Sequence, residues 1–353
     1  MTKEIHGIVP YPFDAQSNPF FCALASVLLP ALGYTEETPY FCGKNECYCI
    51  HCGNCPDKST LQKHHLNLYH TYQTFTGVSL GWDWPENDSP YQVIPGWEKG
   101  WCWPDEFFRF VFGYAGLSWQ RLSKGAEKGK ILAALRASIN AGLPALLRLG
   151  MDWHVIAGFD GDALIGLGYG SKETAVLPGW FNSFEDGILI TGCSPRTAIL
   201  RDVLGRMIRT LEHPAHARLE WDVMRRIDAV SSANALETVC WLGPIAGFPP
   251  EARWHAADSP LQWLTDDAAV RQKLFGMTRQ YVFDDELDAT HGISNKLCRM
   301  LTLGHAKGYA VLPEAAERIM DAEFRTELKR LFSILFKNDR IVLQLLRDAA
   351  ALI

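Results

Sequence analysis

The apolar positions divide this chain into two different patterns. The apolar run in DAQSNPFFCALASVLLPALGY predicts a helix that carries Cys22 near its start. KSTLQKHHLNLYHTYQTFTG predicts another, capped by Ser59 or Thr60, with Leu61, His65, Leu68, Tyr72 and Phe75 on one face and Gly77 as its stop. A stretch dense in Trp, Gly and Pro follows, and its second part turns helical from about Pro104-Asp105-Glu106. The helix KILAALRASINAG then leads into short apolar runs bounded by turn residues: PALLRLG, HVIAGFD, ALIGLGYG, TAVLPGW and GILITGC. Asp160-Gly161 between two of these runs is a two-residue hairpin signal, which would set His154 opposite Leu167 or Gly168. The expected product is a mixed, largely antiparallel sheet packed on helices, ending near Cys193.

From Ser194-Pro195 onward the spacing changes. RTAILRDVLGRMIRTLE, HARLEWDVMRRIDAV, AAVRQKLFGMTRQYVFDDEL, NKLCRMLTLGHAKGYAVL, AAERIMDAEFRTELKRLFSILF and NDRIVLQLLRDAAALI all place apolar residues three and four apart. The chain is therefore expected to be α+β in class, with a cysteine-bearing domain over 1–193 and an all-α domain over 194–353. The roles open to the helical half are covering a cleft, mediating a homodimer and completing the core.

Composition narrows the function. With 353 residues, 48% hydrophobic and 21% charged, the chain suits an ordinary globular protein of about two domains. A net charge of −6 argues against broad binding to nucleic acid or to an anionic membrane. MTKEIHGIVPYPF lacks the apolar core of a signal peptide, and no later run reaches the ~18 apolar residues of a membrane span. A cytoplasmic protein is the expectation, so the ten cysteines should be thiols or metal ligands rather than disulfides.

Five of those cysteines crowd into FCGKNECYCIHCGNCPDKS. Cys42, Cys47, Cys49, Cys52 and Cys55 fall within fourteen residues and surround His51. The two-residue gaps from Cys49 to Cys52 to Cys55 let successive thiolates converge on one centre, and Gly43 and Gly53 supply backbone freedom. Four such ligands would close a structural zinc site in an insertion at 42–56. An iron–sulfur cluster ranks last, because no electron-transfer partner motif accompanies it, and free thiols or an oxidised pair stand between. His64 or His65 would be the nearest mixed ligand, although a wet helix face is the expected place of His64, His65 and His70. Asp284, Asp285, Glu286 and Asp288 beside His291 are read as carboxylates of an opening helical turn. The Trp-rich stretch before the second half of the sheet is a candidate cleft wall, with Cys102 buried among its aromatics.

The sharpest chemical pattern is Gln16 six residues ahead of Cys22, with His154 far downstream. A cysteine at a helix start has its thiolate favoured by the helix dipole. A strand histidine can serve as its base, and an amide near the cysteine can donate to an oxyanion. This order, with a helix feeding a buried strand and then a histidine hairpin, resembles the papain-like cysteine peptidase superfamily over roughly residues 10–192. Within it the chain looks most like the bacterial double-glycine leader peptidases and the N-terminal domain of butirosin-type acyltransferases. The resemblance implies Cys22 as nucleophile, His154 as base, Gln16 as oxyanion donor, and a peptide or acyl-carrying substrate held as an amide or thioester. The third triad member is not on the strand after the histidine, where the family places it. Asp152, Asp160, Asp162 and Asn182 are the candidates, Asn182 first, and a dyad without a third member stays open. The alternative function is a catalytically inactive papain-like scaffold serving as a metal-stabilised binding protein, in which Cys22 is only packed.

Overall fold

The computed structural model describes residues 2–10, 18–38, 59–81, 103–168, 170–282, 292–304 and 310–353. They form two compact units. The first holds the described residues up to Tyr72 together with 103–199, and the second holds 73–81 and the described residues from Leu200 onward. The chain thus leaves the first unit at Ile199 rather than at Cys193, and a short stretch far upstream belongs with the helices.

The first unit is α+β. In chain order it contains β1 (Thr2–Glu4), α1 (Pro19–Ala31), the larger part of α2 (Thr60–Phe75), α3 (Asp105–Ala115), β2 (Leu117–Ser123), α4 (Lys128–Asn140), β3 (Ala145–Leu149), β4 (Asp152–Asp160), β5 (Ala163–Leu167), β6 (Ala175–Leu177) and β7 (Phe184–Cys193). The strands run β2-β7-β3-β4-β5-β6, with β1 beside the far end of β4, and every pairing is antiparallel. β3 to β7 occupy the five apolar runs named above, whereas β1 and β2 carry no such run. The β4–β5 hairpin turns through Gly161-Asp162, one residue later than expected, because Asp160 pairs with Ala163 and Gly161 takes the left-handed φ of 54°. A bulge at Ala157 then absorbs one residue, so that Val155 faces Leu167 and His154 comes to lie beside Gly168.

The pleat gives this sheet two different faces. Ala145, Leu147, Ile156, Leu164 and Leu189 pack with Ile131, Leu132, Leu135 and Ile139 of α4. On the other face Trp153 meets Phe20 of α1 with ring centroids 5.2 Å apart, and Trp119 meets Phe108 and Phe112 of α3 at 5.6 and 5.9 Å. Arg121 ties the same face to α3, holding Asp186 of β7 through two N–H···O bonds and reaching Asp105 at the start of the helix.

α2 starts as its sequence requires. Gln62 N donates to Ser59 Oγ and Ser59 N donates to Gln62 Oε1, a reciprocal cap that fixes the first turn. Its histidines are not on a wet face: His64, His65 and His70 are all buried.

The second unit contains residues 73–81 and α5 (Leu200–Glu212), α6 (Pro214–Asp228), α7 (Ala235–Asp258), α8 (Ala268–Val282), α9 (Gly292–Leu301), α10 (Ala315–Arg318) and α11 (Ala322–Ala350). Its described residues form no strand beyond an isolated bridge between Thr302 and Val311. Of the two last apolar patterns, the opening AAER forms α10 and the rest joins into the single 29-residue α11. α7 has no counterpart among the expected helices, since Pro244, Pro249 and Pro250 argue against a helix interior. Leu219, Val223 and Ile227 of α6, Val239 and Leu242 of α7, and Leu331, Phe332 and Leu335 of α11 share one core.

A buried ion pair crosses this unit. Arg253 donates to both carboxylate oxygens of Asp339, at 3.1 and 2.8 Å, and to the carbonyl of Gly81, while Tyr281 donates to Asp339 at 2.7 Å. Arg206 donates to Thr76 O, and Gly77 turns the chain at φ 88° where a Cβ would meet Thr210 Oγ1 at 2.3 Å. No helix among the described residues is long and apolar enough to cross a membrane.

Candidate functional site

The candidate site is built on the first turn of α1. Asn18 is its N-cap, with Oδ1 accepting from Phe20 N at 3.1 Å and Phe21 N at 3.4 Å, and Pro19 fills the first helical position, which needs no N–H. Cys22 lies one turn in, and its own N–H donates to Asn18 O at 3.1 Å. That bond consumes the backbone donor which an oxyanion at Cys22 would need.

The Cys22 side chain has no solvent exposure. Burial pushes its thiol pKa well above the usual value, against a smaller lowering from its own backbone N–H. The helix dipole that favoured a thiolate in the sequence argument is outweighed by desolvation here. Polar contacts beside it join α1 to α2 and to Val9. His65 Nε2 lies 3.0 Å from Ser26 Oγ and 3.1 Å from Cys22 O, and Ser26 donates to Val9 O at 2.9 Å. With the serine proton on Val9, the network assigns the imidazole proton to Nε2. Burial holds the His65 pKa down at about 4, so it stays neutral and locks α2 to α1.

His154 stands elsewhere. It pairs with Leu147 of β3, and so shares the face of Leu147 and Ile156 that packs toward α4. Trp153, the residue before it, occupies the face that meets α1. The His154 ring is half-buried, lies against Gly168, and has Nδ1 3.3 Å from Asp152 O. A Cβ at position 168 would come within 2.9 Å of Nε2, so a side chain there would make the His154 ring shift. Desolvation lowers the His154 pKa, partly countered by the Asp152 carbonyl and charge. Among the described residues no hydrogen bond joins His154 to Cys22, and the ring bonds Asp152 O instead.

The candidate orienters are dispersed. Asn182 is exposed in a short turn after β6, where its N–H donates to Gly179 O, and it makes no hydrogen bond with His154. Asp160 accepts from Thr2 Oγ1, and Asp162 faces Arg136 at 3.3 Å. Asp152 alone adjoins the imidazole, through its carbonyl rather than its carboxylate. Gln16 and the five cysteines Cys42, Cys47, Cys49, Cys52 and Cys55 lie outside the described residues, as do Cys102, Asp284, Asp285, Glu286, Asp288 and His291. Among the described residues no group of three or more His, Cys, Asp or Glu side chains is placed to hold a metal ion. Among the described residues, Cys22, Cys193, Cys240 and Cys298 form no disulfide.

Two residues of this site were missed in the sequence. Asn18 had a signal, since Asn followed by Pro at the head of an apolar run marks an N-cap and first helical position. His65 had a partial one, its place on the face of Leu61, Leu68, Tyr72 and Phe75, but its contact with Cys22 O and Ser26 depends on how α1 and α2 pack. Compared with protein-family models, with curated proteins and with solved structures, the chain matches none.

Proposed function

We propose that the first unit is a papain-like scaffold in which Cys22 is a packed core thiol, and that the protein acts by binding, with the segment 42–56 closing on a structural zinc. The observation that carries this is the state of Cys22: sealed from solvent, with its thiol pKa raised and its N–H spent on Asn18 O. A nucleophile needs a thiolate, a base within reach and a donor for the oxyanion. Here burial favours the protonated thiol, the Cys22 N–H is engaged by Asn18 O, and the His154 ring bonds Asp152 O rather than Cys22. The zinc part rests on cysteine spacing alone.

The test is alkylation of the native full-length chain with iodoacetamide, read by peptide mass spectrometry. Cys193 and Cys240 are exposed and serve as internal controls. Both should label while Cys22 stays unmodified until denaturant is added. Labelling of Cys22 faster than Cys240 at neutral pH would sink the proposal.

One observation favours the other reading, thiol hydrolysis or acyl transfer through Cys22 with His154 as base. The Phe20–Trp153 contact sets the start of α1 against the start of β4, so the two candidate residues belong to abutting ends of their elements. That chemistry requires the Cys22 thiol to be uncovered and the imidazole to turn across its strand. Its signature is acylation of Cys22 by p-nitrophenyl acetate that is lost in Cys22→Ala.

A further inference from the structure

Residues 76–81 are held in the second unit by their backbone carbonyls. Arg206 of α5 donates to Thr76 O, and Arg253 of α7 donates to Ser79 O and Gly81 O. The Ser79 hydroxyl, buried between these points, makes no hydrogen bond of its own. Arg253 is aimed by Asp339 of α11, which accepts from its Nε and Nη2 and also from the Tyr281 hydroxyl of α8.

His216, in the first turn of α6, belongs to the same cluster. It is 8% exposed, and its Nε2 has no hydrogen-bond partner. The ring donates to the Leu211 carbonyl at the end of α5, so the neutral imidazole keeps its proton on Nδ1 and a bare lone pair on Nε2. Three charged or titratable groups act on it. Arg253 on α7 and His213 at the N-cap of α6 oppose a positive ring, and Asp339 on α11 favours one. An imidazolium would add a second cation beside Arg253 and a buried N–H in need of an acceptor. The carboxylate of this cluster is Asp339, whose oxygens Arg253 and Tyr281 already share.

We propose that His216 is the trigger of an acid-operated latch: its protonation repels Arg253, draws on Asp339, and loosens the guanidinium's hold on Ser79 O and Gly81 O, so that residues 76–81 come away while the helices persist. The latch is independent of the binding function proposed above. Its direction follows from the cluster. Burial first, then the Arg253 charge, holds the His216 pKa at about 4 against an ordinary 6.5. The open form therefore takes up a proton more readily than the closed form, and opening is favoured as pH falls from 6.5 toward 4. Between pH 7.5 and 4.5 that difference multiplies the open population by a factor on the order of 50.

The experiment is hydrogen exchange of the full-length chain at pH 7.5 and 4.5, read by peptide mass spectrometry and corrected for the intrinsic pH dependence of exchange. Peptides covering residues 76–81 should lose protection about 50-fold at the lower pH, while peptides of α11 keep theirs. His216→Gln removes the titration and should abolish the change; His216→Phe carries the test if the glutamine variant does not fold. Protection of 76–81 that is unchanged at pH 4.5, that falls equally in a folded His216 variant, or that falls only together with α11 would overturn the latch.

Discussion

Trp153 and His154 are neighbours on β4 and face opposite sides of the sheet. Trp153 meets Phe20 of α1 at 5.2 Å, while His154 pairs with Leu147 on the face toward α4. Strand alternation therefore sets the candidate base and the candidate nucleophile on different faces of one sheet. A shift of one residue in the register of β4 would exchange the two side chains, so the pairing of β3 with β4 decides the chemistry available to Cys22.

Cys22 substitutions should report a packed thiol. Cys22→Ser places a hydroxyl in a site without solvent exposure and is expected to cost about 1–3 kcal/mol. Cys22→Ala leaves a small cavity and should cost about 1 kcal/mol. Urea midpoints measure both. A serine variant as stable as wild type would contradict the sealed environment of this position.

Stability should fall on mild acidification. His65 and His216 are buried, with folded pKa values of about 4 against an ordinary 6.5, each caused chiefly by desolvation. The unfolded chain therefore binds more protons than the folded one as pH drops below 6.5. Stability is full above that value and is lost progressively toward pH 4. Urea midpoints at pH 7.5, 6 and 5 should decrease in that order, and His65→Gln or His216→Gln should flatten the trend. Equal midpoints at pH 7.5 and 5 would show that neither imidazole is held neutral.

Arg253 should be far more sensitive than a surface arginine. Arg253→Met leaves Asp339 buried beside Tyr281 without its cation, which costs about 3–5 kcal/mol. Arg253→Lys should rescue little, because an ammonium cannot serve both carboxylate oxygens and the Gly81 carbonyl together. Adding Asp339→Leu to Arg253→Met should recover much of the loss. Thermal melting of the three variants checks this, and an unchanged melting temperature in Arg253→Met would remove the ion pair from the stability argument.

Metal content tests the cysteine segment. The spacing of Cys42, Cys47, Cys49, Cys52 and Cys55 leads to the expectation of one zinc per chain by plasma mass spectrometry, with chelator lowering the melting temperature. A folded protein free of metal would end the zinc proposal.

Local features were legible where local physics decides them. Ser59 and Gln62 form the cap that their spacing suggests, α3 begins after Pro104 with Asp105 and Glu106 in its first turn, and the five apolar runs before Cys193 are the five strands β3 to β7. Other features yielded to tertiary context. α7 persists through prolines that a propensity argument treats as breaks. α2 buries His65, Tyr69 and His70 although its residues are too polar to suggest a core helix. The Gly161-Asp162 turn sits one residue beyond the expected pair because Asp160 pairs with Ala163, and the bulge at Ala157 then brings His154 back beside Gly168.

By itself the sequence determined an α+β unit followed by helices, the apolar helix that carries Cys22, and the strand that carries His154. Those follow from the periods of side-chain direction along helices and strands, which each segment expresses alone. The tertiary structure decided what Cys22 and His154 can do. Burial that converts a helix-start cysteine into a protonated core thiol is a sum over neighbours from α2 and the sheet, and the face on which a strand histidine emerges is set by its partner strands. Neither quantity belongs to any single stretch of chain.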